Sequence, residues 1–598
     1  MYAYTEFDRH AVRQRAAQYR DQLQRHLRGE LGGEEFRPLR LQNGWYVQRY
    51  APMLRVAVPY GEIRSDQLRV LARIAREYDR PDAALWQRAQ DTQDAIDAAR
   101  PAPRLVHGVG HFTTRQNVQF NWIPLERSAD VMDLLAEVDL HGIQTSGNCI
   151  RNITTDALAG IAPDEVADPR PWAEIMRQWS TWHPEFAYLP RKFKIAITGA
   201  QEDRAAIGWH DVGLRLLRDA QGELGFQVQA GGGMGRTPII GTVLREFLPA
   251  HEILNYLEAL VRTYNLWGRR DNLYKARIKI LVKAEGARFT QEVEAQYQRI
   301  LAQGGAHRIT AAEFDRVQRH FAPPALVCNR SDADQKMARI LRAAAEDDVE
   351  FSRWIQRNVH AHANPDLRAV TLSFKRLGQA PGDASADQLD AAADLVQRYS
   401  SGEARVTHEQ NLLLPWVPCD QLPELWREAR RLGLARPNIG LLSDLIACPG
   451  GDYCALANAR SLPLAAEVLE RYQDLDELDD LGPIDLHVSG CINSCGHHHS
   501  GHIGILGVDK DGQEWYQITL GGSDGSRLSG APQPGKVIGP SFAAAEVLQA
   551  IEAILGVYVQ LRQPDERFID ALRRIGHEPF RAAAHQVRHI TARATVEP

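Results

Sequence analysis

Apolar and polar positions repeat a pattern along the chain. Leu54-Arg55-Val56-Ala57-Val58 reads as a strand, and a helix follows in which Leu68, Leu71, Ala72 and Ala75 recur at helical spacing to make one apolar face. Leu367-Arg368-Ala369-Val370-Thr371 resembles the first strand, and Asp387-Gln388-Leu389 to Tyr399 answers Asp66-Gln67-Leu68 to Tyr78 at a constant offset of 321. A second strand closes each unit, with Thr113 to Pro124 (TTRQNVQFNWIP) matching Thr407 to Pro418 (THEQNLLLPWVP). Beyond each unit lies an alternating strand ending in glycine, Lys194 to Gly199 and Asp485 to Gly490. Three matches in the same order predict a duplicated strand–helix–strand unit and make chance similarity the poorer explanation.

The copies differ in one connection. Tyr78 to Thr113 spans 35 positions where Tyr399 to Thr407 spans 8. The extra stretch, Arg80 to Gly108, is rich in Ala, Asp and Gln and carries Pro81, Pro101 and Pro103, which predicts a surface insertion with a short helix. Ala302 to His360 reads as a mostly helical bridge between the halves. Two C-terminal helices, marked by Val547, Ile551 and Ile554 and by Phe568, Leu572 and Ile575, are expected to pack into a core.

At 598 residues the chain is too long for one hydrophobic core and suggests three or four domains. Its 44% hydrophobic and 24% charged residues are those of an ordinary globular protein. No stretch approaches the run of about 18 apolar residues that a membrane helix needs. Met1 to Arg20 is charged almost from the start, unlike a secretory signal, so the chain reads as cytoplasmic with no membrane partner. A net charge of -6 argues against nucleic acid, which needs a basic surface.

Seven cysteines in so long a chain are not a disulfide framework. Cys149, Cys328 and Cys419 are scattered, whereas Cys448, Cys454, Cys491 and Cys495 fall within 48 residues. Clustered thiols in a reducing compartment point to metal binding or catalysis. Cys448 to Cys454 is C-x5-C and Cys491 to Cys495 is C-x3-C, both wider than the usual zinc knuckle. Wide, glycine-flanked spacings suit a four-iron cube, in which each thiolate takes a different corner. A structural zinc site and four unrelated core cysteines are the weaker alternatives. His497-His498-His499 follows directly, but neighbouring side chains point apart, so these are not expected to be ligands.

A set of cations is the second chemical feature. Arg55, Arg115, Arg151, Lys192 and Lys194 sit at the ends of predicted strands or in the turns after them, and Lys192-Phe193-Lys194 places both lysines on one strand face. Paired lysines on a strand are usually just solvated. Gly231-Gly232-Gly233-Met234-Gly235-Arg236 can present several amide donors to an anion, but it lacks the context of a dinucleotide fingerprint.

Together these pieces resemble the siroheme-dependent sulfite and nitrite reductases, and most closely the sulfite reductase hemoprotein subunit. The resemblance runs from about Asn43 to Gly556. It rests on the duplication, the C-x5-C and C-x3-C pair, the Thr-x-Arg-Gln motif, Leu-Pro-Arg-Lys-Phe-Lys at 189–194 and the glycine-rich loop. It implies an α+β fold with pseudo-twofold duplication: a ferredoxin-like-half (parachute) domain and two mixed α/β domains for siroheme and a 4Fe-4S cluster. The expected segments are an N-terminal helical arm (1–50), half-domain copy 1 (51–142, with the insertion at 80–108), a siroheme and substrate-cation domain (143–340), half-domain copy 2 (341–438), and a 4Fe-4S and siroheme domain with C-terminal helices (439–598).

The resemblance implies that Cys448, Cys454, Cys491 and Cys495 bind the cluster and that Cys495 also bridges it to siroheme. It implies that Arg55, Arg151, Lys192 and Lys194 surround the substrate. His111, Thr113, Arg115, Gln119, Lys275 and Arg277 are expected to contact siroheme, whose eight carboxylates need many donors. Certain ferredoxin-dependent members carry a tyrosine cross-linked to a cysteine. Tyr46 is the counterpart of that tyrosine, but Ser146 stands five residues before Arg151 and Cys149 two, a spacing at odds with a cross-link. Nitrite-preferring members tend to have an uncharged residue where this chain has Lys194. The expected activity is therefore six-electron reduction of sulfite to sulfide. Ammonia-forming nitrite reduction is the alternative, and a cluster protein without siroheme or a zinc-stabilised binding protein is the reading of another class. With no nucleotide fingerprint or further cysteine set, electrons must come from a ferredoxin or a flavoprotein partner subunit.

Overall fold

The computed structural model describes residues 1–97, 105–325, 335, 337–342 and 348–594; Cys328 lies outside them. Short alternating runs must pair to satisfy their backbone amides, and here they form four sheets, with strands numbered in chain order. The first contains β1 (Trp45–Val47), β2 (Pro52–Val56), β5 (Val118–Phe120), β4 (Val109–Phe112) and β12 (Asp383–Ser385), in that spatial order and antiparallel throughout. The second contains β10 (Val359–His360), β11 (Leu367–Leu372), β14 (Leu412–Pro418), β13 (Glu403–Val406) and β3 (Glu62–Arg64).

The last strand of each sheet belongs to the other copy. In the first sheet β12 places Asp383 opposite His111, and in the second β3 places Glu62 opposite Arg405. The helices after these exchanged strands, Ser65–Glu77 and Ala386–Tyr399, pack on each other and bury Leu68, Leu71, Leu389 and Val396 in a common core. The exchanged strands, three residues each, end their sheets on short edges.

Both copies close the same tight turn before their central strand. Thr113 N–H donates to Asn117 O and Thr407 N–H to Asn411 O, each at 2.9 Å, and each threonine hydroxyl accepts from that asparagine's N–H at 3.2 Å. The turn needs one residue in the left-handed region, occupied by Gln116 (φ 56°) and Gln410 (φ 62°). Gln116 Nε2 donates to Val406 O and Gln410 Nε2 to Phe112 O, both at 3.1 Å, so each glutamine staples its copy to the other.

The other two sheets are also duplicates. β6 (Ile195–Thr198) pairs parallel with β7 (Val212–Arg218), which forms antiparallel pairs onward through β8 (Leu224–Ala230) and β9 (Thr242–Pro249). β15 (Ile446–Ala447), β16 (Leu486–Ser489) and β17 (Ile503–Lys510) are parallel; β18 (Gln513–Leu520) follows antiparallel, with β19 (Lys536–Val537) and β20 (Phe542–Ala543) on it. The strands expected at Lys194–Gly199 and Asp485–Gly490 are thus β6 and β16.

Three expectations change. The insertion carries a helix of 15 residues, Ala83–Asp97, whose Trp86 stacks edge-on against Trp122 at 5.2 Å and which packs through Leu85 and Ala89 on the cluster-side core. It is a docked element, because two aromatic faces bury more apolar area than the surrounding Ala, Asp and Gln suggested; residues 98–104 lie outside the described chain. The N-terminal segment, expected as an arm, buries Val12, Ala16, Tyr19 and Leu23 of the helix Glu6–Leu27. A third C-terminal helix, Glu578–Ala594, packs on Val547–Leu561. Ala544–Leu561 is long and apolar enough by composition to cross a membrane. Ala550, Ile551, Ile554 and Leu555 are instead buried in the core of this chain.

A largely buried ion network joins the copies where β3 enters the second sheet. Arg170 contacts Glu62 at 2.7 Å and Asp168 at 2.8 Å, and Arg405 contacts Glu403 at 2.9 Å. Removing one partner strands charges away from water. Arg405→Ala is therefore expected to cost about 3–5 kcal/mol in denaturant unfolding, whereas exposed Arg73→Ala, which loses only a surface pair to Glu77, should leave the unfolding midpoint nearly unchanged.

Candidate active site

The Thr-x-Arg-Gln turn, the Lys192–Lys194 segment and the C-x3-C loop converge between the halves. They line one chamber between them. Arg55, His111, Thr113, Arg115, Gln119, Arg151, Lys192, Lys194, Cys448 and Cys495 all lie on its wall. Phe193 is fully buried against Ile150, and the alternation of an extended segment turns Lys192 and Lys194 the other way, into the chamber.

The remaining expected residues stand outside that wall. Lys275 is exposed. Arg277 forms a two-pronged pair with buried Asp211 at 2.7 and 3.0 Å and packs at the glycine-rich loop near Gly233. Cys454 and Cys491 sit behind the lining, and both, with Cys448, are within electrostatic reach of Cys495.

Positive charge dominates the chamber. Among the described residues, no carboxylate pairs at ion-pair distance with Arg55, Arg115, Arg151, Lys192 or Lys194. They are held by neutral acceptors instead: Arg151 donates to Thr145 O (2.6 Å) and Gly147 O (2.7 Å), Arg115 to Asn152 O (2.7 Å) and Thr154 Oγ1 (2.9 Å), and Arg55 to Gln119 Oε1 (2.9 Å). Burial, with Arg151 and Arg277 adding to it against Cys495, pushes Lys192 down to about 7. Burial and neighbouring Arg115 hold Lys194 well below its ordinary range. Such a site gains when an anion enters, because the anion restores the balance that burial upset. Tyr46 and Cys149 both reach Arg151, so the tyrosine and cysteine considered above flank one guanidinium.

The cysteine loops fit an iron–sulfur cube. Burial, with Cys495 beside it, pushes the Cys448 thiol up to about 12, so a bound cation is needed to keep it a thiolate. Gly490 N–H donates to Cys448 Sγ at 3.3 Å, the amide-to-sulfur bond that tunes such clusters. Among the described residues no three His, Cys, Asp or Glu side chains converge on a point that one ion could take. A single zinc needs four sulfurs about 2.3 Å from one centre; the corners of a cube hold them further apart.

Several groups that place these loops carried no signal in the sequence. Thr114 Oγ1 donates to Cys495 O at 2.9 Å, tying the first copy's turn to the second copy's cysteine loop. Lys279 Nζ donates to Met234 O (2.7 Å) and Thr237 O (2.5 Å) and fixes the glycine-rich loop. His499 sits 3.0 Å from Gly235 O and joins that loop to C-x3-C, while His497 lines the chamber; none of the three histidines meets others around a metal-sized point. Asp211, the acid beside the cations, also accepts Lys194 N–H at 2.9 Å.

Known proteins share these features. The model of the nitrite and sulphite reductase 4Fe-4S domain matches residues 146–301 and 442–589, more than half of the chain. The nitrite/sulfite reductase ferredoxin-like half domain matches 47–85 and 371–432. Sulfite reductase (ferredoxin) 1 of Mycolicibacterium paratuberculosis is 28% identical over 88% of this chain and 83% of its own. Ferredoxin--nitrite reductase of Synechococcus elongatus is also 28% identical, over 79% of this chain and 80% of its own. The solved structure of Mycobacterium tuberculosis NirA protein has the same fold, with a TM-score of 0.69 at 24% identity, covering 94% of this chain and 95% of that one.

Gly450, at φ 58°, lets the C-x5-C loop fold back, since a Cβ there would stand 2.1 Å from Ser461 Oγ, which itself donates to Cys448 O at 2.5 Å. Gly450→Ala is expected to lose about 1–3 kcal/mol and to lower the iron retained per chain. Gly556→Ala, in a helix with open space around it, should leave both unchanged.

Proposed function

The chain belongs to the nitrite and sulphite reductase family, an oxidoreductase family that carries siroheme and one 4Fe-4S cluster, and from that premise we propose that it is an assimilatory sulfite reductase of the cytoplasm. The observation behind this reading is the chamber wall, where Arg55, Arg151, Lys192 and Lys194 crowd together with no carboxylate at ion-pair distance among the described residues. Sulfite is a dianion with three oxygens and benefits from the second lysine more than nitrite, a monoanion, does. Relatives of both substrate names at the same 28% identity keep nitrite as the second reading.

In this reading Cys448, Cys454, Cys491 and Cys495 would hold the cluster, and Cys495, on the chamber wall, would also serve the siroheme. Thr113, Arg115 and Gln119 on the wall, with His111, Lys275 and Arg277, serve the carboxylates of the macrocycle; Arg277 then exchanges part of its pairing with Asp211. When bound, the cofactor pair would supply the electrons. The chain supplies the rest. Arg55, Arg151, Lys192 and Lys194 fix the anion by its oxygens, favour departure of each oxygen as water, and hold protons beside it in a site closed to bulk solvent. The donor in this reading is ferredoxin, the partner in the relatives' names.

The absorption of purified protein checks the premise for this chain: chlorin-like bands in the red are expected, and a colourless folded protein would sink it. Substrate choice is read from steady-state comparison with a reduced dye. Lys194→Asn should lower kcat/KM for sulfite by roughly tenfold or more and for nitrite by less; equal loss on both substrates counts against sulfite.

A further inference from the structure

The insertion between Arg80 and Gly108 has no counterpart in the second copy, where Tyr399 to Thr407 spans 8 positions. Its base is closed by one buried carboxylate, Asp79. Asp79 Oδ2 accepts Gly108 N–H (2.7 Å) and Val109 N–H (3.2 Å), and Oδ1 accepts Trp122 N–H (2.8 Å) and Asn121 N–H (3.2 Å). The outgoing arm carries the helix Ala83–Asp97, and residues 105–108 form the returning limb. Trp86 of the helix meets His107 of the limb edge-on at 4.8 Å and Trp122 at 5.2 Å. Trp122 Nε1 in turn donates to Val106 O at 2.8 Å, so the aromatic contacts hold the limb.

From there the limb reaches the cysteines. The Tyr453 hydroxyl donates to Val106 O (3.1 Å) and accepts Val106 N–H (3.2 Å), and its ring meets Trp122 edge-on at 6.0 Å. Tyr453 is buried and ends the short helix Gly450–Tyr453; Cys454 is the next residue. The C-x5-C loop is tied at its start by Ser461, whose hydroxyl donates to Cys448 O. Its far end is tied from the first copy. Arg49 N–H donates to Tyr453 O (3.1 Å), Gln48 Oε1 accepts Ala455 N–H (3.3 Å), and the limb takes the hydroxyl. A cavity lined by Leu105, Val109, Ala380, Asp452 and Leu462 borders Tyr453. Packing around the ring is therefore incomplete, and the two hydrogen bonds to Val106 fix its hydroxyl end.

We propose that the insertion is a brace for the C-x5-C loop and that Tyr453 is the positioning residue through which the limb fixes Cys454. This role rests on the reading in which Cys454 holds one corner of the cluster. Groups that orient a metal ligand from behind decide how firmly the metal is kept, and losing one costs roughly 10- to 100-fold in retention. The copy that supplies the cations thus also sets the hold of a thiol in the other copy.

Tyr453→Phe keeps the ring and removes both hydrogen bonds. In the full-length holoprotein, iron release to an excess of a ferrous chelator is expected to be roughly tenfold faster than in wild type. Trp86→Ala loosens the limb at its other end and should speed release as well. Acting through one contact, the two substitutions should not add: Trp86→Ala in the Tyr453→Phe background leaves the rate where Tyr453→Phe put it. Ile551→Val thins the same core in the helix Val547–Leu561 and should lower the unfolding midpoint with the release rate unchanged, which separates loop placement from general loss of stability. Where Trp86→Ala does not fold, Tyr453→Phe decides alone. Release at the wild-type rate in Tyr453→Phe overturns the proposal, as does full addition of the two effects or equal acceleration in Ile551→Val. Failure of the reading beneath it looks different: Cys454→Ser then retains iron at the wild-type level.

Discussion

Everything at the chamber depends on two three-residue strands that cross between the copies. Without β3 the second sheet ends at β13, and without β12 the first ends at β4. Each copy then has an open edge and half a site, since the turn at Thr113 belongs to one copy and the turn at Gln410 to the other. The exchange fixes the two turns back to back, and their glutamines lock them through each other's strands. The left-handed backbone at Gln116 and Gln410 is the strain this geometry demands; the cross-copy hydrogen bonds offset it. The first half contributes cations and the second contributes thiols, so neither half alone presents a site.

The second constraint is electrostatic. Gathering five cations around one chamber, with Asp211 the acid beside them, costs folding energy, and Lys192 and Lys194 register that cost as weakened hold on their protons. Neutral acceptors such as Thr145 O, Gly147 O and Asn152 O keep the arginines oriented without neutralising them. The carboxylates of the siroheme that this family carries, and an anionic substrate, supply negative charge there. Where charge had to be balanced permanently, the chain does so, as Asp211 does for Arg277 and Glu403 for Arg405.

Much of this was legible in the sequence because it rests on local pattern. Two copies of one turn, a Lys-Phe-Lys alternation and two cysteine spacings are visible within a few residues of themselves, and ten of the expected wall residues lie on one chamber. The strand exchange was not visible: Glu62–Arg64 and Asp383–Ser385 are too short to show a period, and their partners lie more than 270 positions away or across the duplication. Asp211 and Lys279 were missed for the same reason, since each acts through a contact about 40 residues or more distant. The Ala83–Asp97 helix was misjudged because its polar composition outweighed Leu85 and Trp86, the residues that dock it.

The duplicated fold repeats its scaffold, but the charges at corresponding positions do not repeat. At corresponding positions Arg115 of the first copy answers Glu409 of the second, and Lys194 answers Asp485. Asp485 feels Asp524 and Glu409, and burial with this acidic company pushes it up to about 7. An anion placed there would meet carboxylates where its counterpart meets guanidinium and ammonium groups. The second copy thus keeps the scaffold and reverses the field, freeing its loops to carry Cys448, Cys454, Cys491 and Cys495. Opposite charge at matched positions lets one unit, used twice, place an anion-binding face against a metal-binding one.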